Sequence, residues 1–446
     1  MTTIGIGVPA KDDPKSVFGW CMYDWANSAY ITTAVGLLPI YFASTVMADG
    51  NAVFFGKTFR SDTLWGFVVG LAGVLSFICA PVLGAIADFS ASKKKFLLAF
   101  AYTGSLFCML LYFSHTGDVV KTLLFFLISQ LGFVNGNVFY DAFLPHIASE
   151  EKLDDVSAKG YAYGYVGGGL QFAIALVLVA FHDKAGLTKE HAARIGIAMA
   201  GFWWLVFTIY CMRFVHEAPS TEILPEKYRN HPQWVGFLFL GISRTWQTTV
   251  RASKYRHLVI FLLAFMMYNE GIQTVINMAT IYGTNELRLP ASALMLTLLI
   301  IQFVAIFGSI GFSKIADRVG TRRAIVFGLF IWVGVVIYAY FIRTVIEYFV
   351  LGMIVGIAMG GTQALSRSYY GSMIPEQSSA EFYGFYTVFS KFSAIWGPWA
   401  FAAITYFAHS ARTAIASLVV FFIVGLILLI SVNEEQARDA RFAPVP

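Results

Sequence analysis

Long apolar runs alternate with short polar interruptions along the whole chain, and twelve of the runs are long enough to cross a hydrocarbon core of about 30 Å. Their limits are 18–46, 63–87, 96–114, 121–144, 161–181, 194–215, 257–283, 290–314, 324–343, 345–369, 381–408 and 412–432. Such runs predict helices, because in lipid every backbone N–H and C=O must be satisfied within its own segment. The first run exceeds the apolar part of a cleavable leader and has no small-residue cleavage site, so it is read as the first span. The pattern therefore predicts an all-α membrane protein with twelve transmembrane helices.

The longest polar interruption, 216–256, divides the spans six and six. This sets the expected organisation: an N-terminal six-helix bundle over 1–215, a linker over 216–256, a C-terminal bundle over 257–432 and a tail over 433–446. Within the linker, Trp234, Phe237, Leu238, Gly241, Ile242, Trp246 and Val250 recur at helical spacing and are followed by Arg251, Lys254 and Arg256. That pattern suits an amphipathic helix on an anionic leaflet, or a structured connector with no further role. The halves look like copies of each other. GAIADFSASKKK at 84–95 aligns with KIADRVGTRR at 314–323, which places Asp88 against Asp317 and Lys93 against Arg322. Tyr23 and Asp24 align with Tyr268 and Asn269, and Pro145 with Pro375. Similar segments in the same order predict two pseudo-symmetric bundles with a cavity between them.

Composition places the chain in lipid: 58% of its 446 residues are hydrophobic, 13% are charged, and the mean hydropathy is +0.67. In a soluble protein the net charge of +5 would suggest nucleic acid; here the cations sit in loops beside apolar spans. With the amino terminus inside, the inner segments hold 21 Lys and Arg against 9 outside, and Lys391 is left within a span. The positive-inside rule then puts both termini in the cytoplasm. Cys21, Cys79, Cys108 and Cys211 lie in apolar stretches at unrelated spacings, which indicates neither a disulfide framework nor a zinc site. No cofactor, metal or nucleic-acid partner is expected. Membrane lipids and a small-molecule substrate are, with the chain working as a monomer.

GFSKIADRVGTRRAI at 311–325 closely resembles the loop signature of the major facilitator superfamily. There Asp317, at a helix end, is expected to pair with Arg318 or Arg322 in a latch that opens and closes. Asp88 and Lys93 form the corresponding latch in the first copy, which departs from the pattern with Phe89 where Arg is usual and Ala91 where Gly is usual. MYDWANSAYITTAVGLLPIYFAS at 22–44 and GGTQALSRSYYGSMIPEQSSAEFYGFYTVFSKFSAIWGP at 360–398 look like the vacuole-effluxer-like family. That resemblance implies a major facilitator fold and a transporter of small solutes, amino acids among them, moving outward by alternating access. It also implies a bacterial inner-membrane location, and with no catalytic constellation in the sequence no enzymatic role is expected.

Polar residues inside the spans supply the candidate site. Asp24 lies roughly 9 Å and Asn27 roughly 14 Å beyond a start near Phe18, at about 1.5 Å per residue. Neither snorkels out easily, and polar groups at such depth face a bundle interior or a wet cavity. Asp24, Asn27 and Ser28 share one stripe on the first span. On the seventh, Glu270, Gln273, Thr274 and Asn277 fall at i, i+3, i+4 and i+7, so both stripes are expected to face the cavity. Buried carboxyls tend to hold protons, which makes Asp24 and Glu270 candidates for proton coupling. Lys391 on the eleventh span and Arg367 on the tenth supply opposite charge, a combination suited to a zwitterion. Arg367 is alternatively a gate residue paired with Asp141 or Asp24. Gly160, Gly164 and Gly168, and Gly352, Gly356 and Gly360, recur every fourth residue as packing positions.

Other signals carry less. GNAVFFGKT at 50–58 has the wrong glycine spacing for a phosphate loop and no strand before it. His182, Asp183, Glu190 and His191 read as a solvated loop rather than a metal site. The alternatives to a small-solute transporter are a carrier of amphipathic lipids, which needs an apolar lateral opening, and a membrane receptor, which needs a sensing domain.

Overall fold

The computed structural model describes residues 10–48, 51–54, 57–217, 224–229, 232–251, 256–392, 396–408 and 410–439. Lys254 and the tail beyond 439 lie outside these residues. The N-terminal half contains α1 (Pro14–Gly36), α2 (Ser61–Ser90), α3 (Lys93–Leu110), α4 (Val119–Ala142), α5 (Leu153–Ala180) and α6 (Lys189–Phe214). The C-terminal half contains α7 (Arg256–Asn285), α8 (Ala291–Val319), α9 (Thr321–Phe341) and α10 (Val345–Gly371). Its last two spans each consist of two helices: Ser379–Phe392 and Trp396–Ala408 form α11, and Ala411–Ser417 and Val419–Ile430 form α12. A linker helix, Gln233–Arg251, joins the halves, and Glu434–Asp439 forms a short helix after α12.

The twelve spans agree with the apolar pattern. Among the described residues, eleven segments are individually long and apolar enough to cross a membrane; α11 completes the count in its two pieces. Between α1 and α2 the chain forms a small antiparallel hairpin, Asn51–Phe54 with Lys57–Arg60, where a loop is expected. Helix starts follow local chemistry. Asp13 accepts a hydrogen bond from the Ser16 N–H at 2.9 Å with Pro14 at the first helical position, and Thr344 forms a reciprocal capping box with Glu347.

Small residues set how closely the helices approach. A Cβ on Gly168 would lie 2.8 Å from the Ser28 carbonyl oxygen, and one on Gly356 would lie 2.9 Å from that of Ile301. These glycine rows bring α5 onto α1 and α10 onto α8, the packing role expected of them. Between the halves, a Cβ on Gly84 of α2 would run into the Ala380 carbonyl of α11. A Cβ on Gly384 of α11 would lie 2.7 Å from Pro81 of α2. Thus α2 and α11 meet backbone to backbone on the face that carries both described chain ends.

Candidate functional site

A cavity of about 490 Å³ lies between the halves. Eight of the predicted residues line it: Asp24, Asn27, Ser28, Asp141, Gln273, Asn277, Arg367 and Lys391. Its wall also holds Val35, Ile276, Leu298, Val335, Leu351 and Val355, so polar and apolar surfaces share one chamber.

Arg367, only 3% exposed, closes one end. Its Nη1 donates to Asp24 Oδ2 at 3.1 Å and to Asp141 Oδ1 at 3.2 Å. Its Nε donates to Ser157 Oγ at 3.0 Å, and Nη2 to the Ser157 carbonyl at 2.8 Å. The guanidinium lies 4.1 Å from the Tyr161 ring centroid and 4.8 Å from that of Trp20. Tyr140 donates to Asp24 Oδ2 at 2.7 Å. A buried cation thus binds both predicted acids at once, and it joins α10 of one half to α1, α4 and α5 of the other. Both partners that the sequence left open for Arg367 are bound by it. Gly160 makes this possible, since a Cβ there would lie 2.9 Å from both the Arg367 guanidinium and the Asp24 carboxylate.

Asn27 donates to Asn137 Oδ1 at 2.6 Å, and Tyr165 donates to Gln363 Oε1 at 2.8 Å across the halves. Ser157, Tyr140, Tyr161, Tyr165, Asn137 and Gln363 are site residues that the sequence reading passed over. Their available signal was spacing: Asn137 and Gln363 stand four residues before Asp141 and Arg367, one turn along the same helix face. Lys391 lies in the last turn of the first piece of α11 and lines the cavity; no carboxylate pairs with it among the described residues.

Glu270 requires a correction. Gln273 and Asn277 line the cavity as expected, but Glu270 and Thr274 occupy the adjacent row and turn toward the second piece of α11. Glu270 Oε1 accepts from the Gly397 N–H, in the first turn of Trp396–Ala408, where helix donors lack intrahelical partners. Glu270 Oε2 and the Thr274 hydroxyl are buried with no hydrogen-bond partner among the described residues. The reason is angular: at about 100° per residue, positions i and i+4 form a row beside i+3 and i+7, and a neighbouring helix fits between the rows.

The two latches also differ from each other. In the first copy Lys93 Nζ lies 2.9 Å from Asp88 Oδ1. Asp88 also accepts from the N–H groups of Ala380 at 3.2 Å and Glu381 at 2.8 Å, holding the start of α11. The turn forms without glycine: Ala91 adopts a left-handed φ of 43°, where the second copy has Gly320 at 88°. In the second copy the expected pairing is absent. Asp317 and Arg318 are exposed and make no ion pair among the described residues. Arg322 instead lies 2.9 Å from Glu434 and donates to the Val432 carbonyl at the end of α12. On this face α2 meets α11, giving Asp88 the start of α11 to cap, whereas the start of α5 reaches the second copy with an acid, Asp154, that bonds Thr321.

Further contacts close the same face between the halves. Asp154 of α5 accepts from Ser368 at 2.5 Å and from Thr321 at 2.6 Å, and Lys11 lies 2.7 Å from Glu376. Burial alone would raise the pKa of Glu376, but hydrogen bonds from His146 and Lys11 outweigh it and hold that pKa down at about 2. It is therefore ionised throughout the neutral range. His182 and His191 bond to the Leu187 carbonyl and to Tyr112, and no metal-ligand cluster occurs among the described residues.

The chain resembles known proteins in sequence and in shape. It is 34% identical over 95% of its length, and 96% of the relative's, to a Bacillus subtilis (strain 168) protein described as the uncharacterized MFS-type transporter YxiO. It is 26% identical to autophagy-related protein 22 of Coccidioides immitis (strain RS), over 96% of this chain and 88% of that one. Among solved structures, the major facilitator transporter FucP in its outward conformation superposes with a TM-score of 0.67 at 12% identity, covering 95% of this chain and 99% of that one. The family model described as vacuole effluxer Atg22 like matches residues 12–441. With that match running nearly end to end over a two-bundle fold, the chain belongs to the vacuole effluxer Atg22-like family of the major facilitator superfamily.

Proposed function

We propose that this chain exports small zwitterionic solutes, in particular amino acids with apolar side chains, across a bacterial cytoplasmic membrane. The chain is a transporter of the major facilitator type and not an enzyme; the substrate, direction and membrane are the proposal. One observation carries it: a cavity of about 490 Å³ takes polar side chains from both halves and is closed at one end by a cross-half ion cluster. That cluster holds two carboxylates against one guanidinium, leaving an excess negative charge for a substrate ammonium. Lys391 offers a cation to a carboxylate, and Val335, Leu351 and Val355 offer an apolar wall to a side chain. The family's description as a vacuole effluxer supports movement of solute through the chamber.

Alternating access follows from the seam. The halves rock apart where α2 meets α11, Arg367 releases Asp24 and Asp141, and the chamber opens to the other side. Purified protein screened by thermal shift should be stabilised by leucine- or phenylalanine-like amino acids more than by glutamate or lysine. The same compounds should then be taken up by proteoliposomes. Absence of both stabilisation and uptake for every amino acid would reject this substrate class. Uptake that follows labelled phospholipid instead would favour the lipid-carrier alternative.

A further inference from the structure

The linker helix Gln233–Arg251 carries two rows of residues with different surroundings. One row, Phe237, Gly241, Arg244 and Thr248, rests on the seam. Phe237 meets Phe89 of α2 edge-on at 6.0 Å, and the Arg244 guanidinium lies 4.8 Å from the centroid of the same ring. A Cβ on Gly241 would stand 2.7 Å from Ile86 and 2.9 Å from the Val82 carbonyl, so the two helices touch closely. Thr248 is buried beside Glu381 at the start of α11. This row therefore spans both halves on the closed face, next to the Asp88 cap.

The second row winds outward at every fourth residue: Trp234, Leu238, Ile242, Trp246 and Val250. Trp234 is 71% exposed and Trp246 69%. Its place in the fold says what covers it. Val82 lies eight residues before the end of α2, or about 12 Å along the helix axis, so the linker helix rests at the depth of a headgroup and acyl boundary. Phe77 and Ile78 of α2, also exposed, continue the apolar surface toward the membrane centre. From 224 to 256 the sequence holds six Lys and Arg against one acid, Glu226, which favours an anionic surface.

We propose that the linker helix is a leaflet-docked brace: its aromatic row inserts into an anionic leaflet while its inner row clasps the closed contact of α2 with α11. Anionic phospholipid then favours the state closed on this face. The coupling rests on the two-state transport cycle proposed above, whereas the docking stands without it.

Two measurements on the full-length protein in nanodiscs test this. Tryptophan quenching by bromine-labelled acyl chains should drop in Trp234→Phe/Trp246→Phe by more than the loss of two average tryptophans. Unchanged quenching overturns the docking. Spin labels at Lys159→Cys and Arg323→Cys, in a Cys79→Ser background, report opening of the face. Phosphatidylglycerol in place of phosphatidylcholine should raise the closed-to-open ratio about fivefold, the weight of one leaflet-bound cation. Trp234→Ser/Trp246→Ser should remove that dependence, and Gly241→Val should open the face in both lipids. Equal distributions in the two lipids, or a dependence that survives the double serine variant, overturn the coupling. A distance that never lengthens in any lipid, even with substrate, counts against the two-state cycle and overturns the coupling with it; the quenching result separates that failure from a failure of docking.

Discussion

Arg367 makes four hydrogen bonds to three residues while buried, and no other side chain type can do the same there. Lysine keeps the charge but not the planar fork, so Arg367→Lys should lose most transport, at least about tenfold in proteoliposome uptake, with the fold retained. Arg367→Ala leaves two carboxylates facing each other, and breaking a buried pair costs the closed state about 3–5 kcal/mol. Exchanging Asp141 and Arg367 should not rescue function, because Asp24 would then face an aspartate at 367. Restored uptake in that double variant would show that Asp24 is not part of the gate. Glu270 belongs to the same scale. Gln in its place still accepts from the Gly397 N–H, so Glu270→Gln should fold and exchange substrate normally while losing uphill transport driven by a pH gradient. Intact uphill uptake would place coupling elsewhere.

At the scale of elements, the contact of α2 with α11 is set by two glycines and one aspartate. A side chain at Gly84 would meet the α11 backbone at Ala380, which cannot swing aside as a flexible side chain does. Overpacking of this kind costs about 1–3 kcal/mol, so Gly84→Leu should shift the population toward the state open on this face. Labels on Lys159 and Arg323 read that shift, and an unchanged distance would mean that the seam is set by the ion pairs alone. The apolar pattern located most spans closely, though α5 starts at Leu153 rather than 161, and it read the glycine rows correctly as packing surfaces, because both depend on a helix's own periodicity. It did not reveal that Glu270 serves the start of the second piece of α11. That role depends on a helix distant in sequence. The Asp-to-basic spacing occurs twice, yet among the described residues only Asp88 forms its pair; the helix start that reaches the second copy, α5, brings Asp154 to Thr321 instead.

For the whole molecule, the two bundles are closed on the face with both described chain ends. The proposed topology, which rests on the charge bias of 21 Lys and Arg against 9, puts that face in the cytoplasm. A carboxyl-terminal green fluorescent protein fusion should therefore fluoresce, and a phosphatase fused there should stay inactive; the reverse would invert the proposed direction of transport. Length, hydropathy and internal repetition determined by themselves that this is a twelve-span, two-bundle membrane protein with polar stripes on its first and seventh helices. They did so because lipid forces each span to satisfy its own backbone, leaving period and composition as sufficient signals. Only the tertiary structure decided which polar residues meet. Glu270 turning behind the chamber depends on how α7 packs against α11 within one bundle, and Arg367 binding Asp24 and Asp141 together depends on how one bundle rests on the other. That fit is set by contacts between residues hundreds of positions apart, for which a single sequence holds no periodic trace.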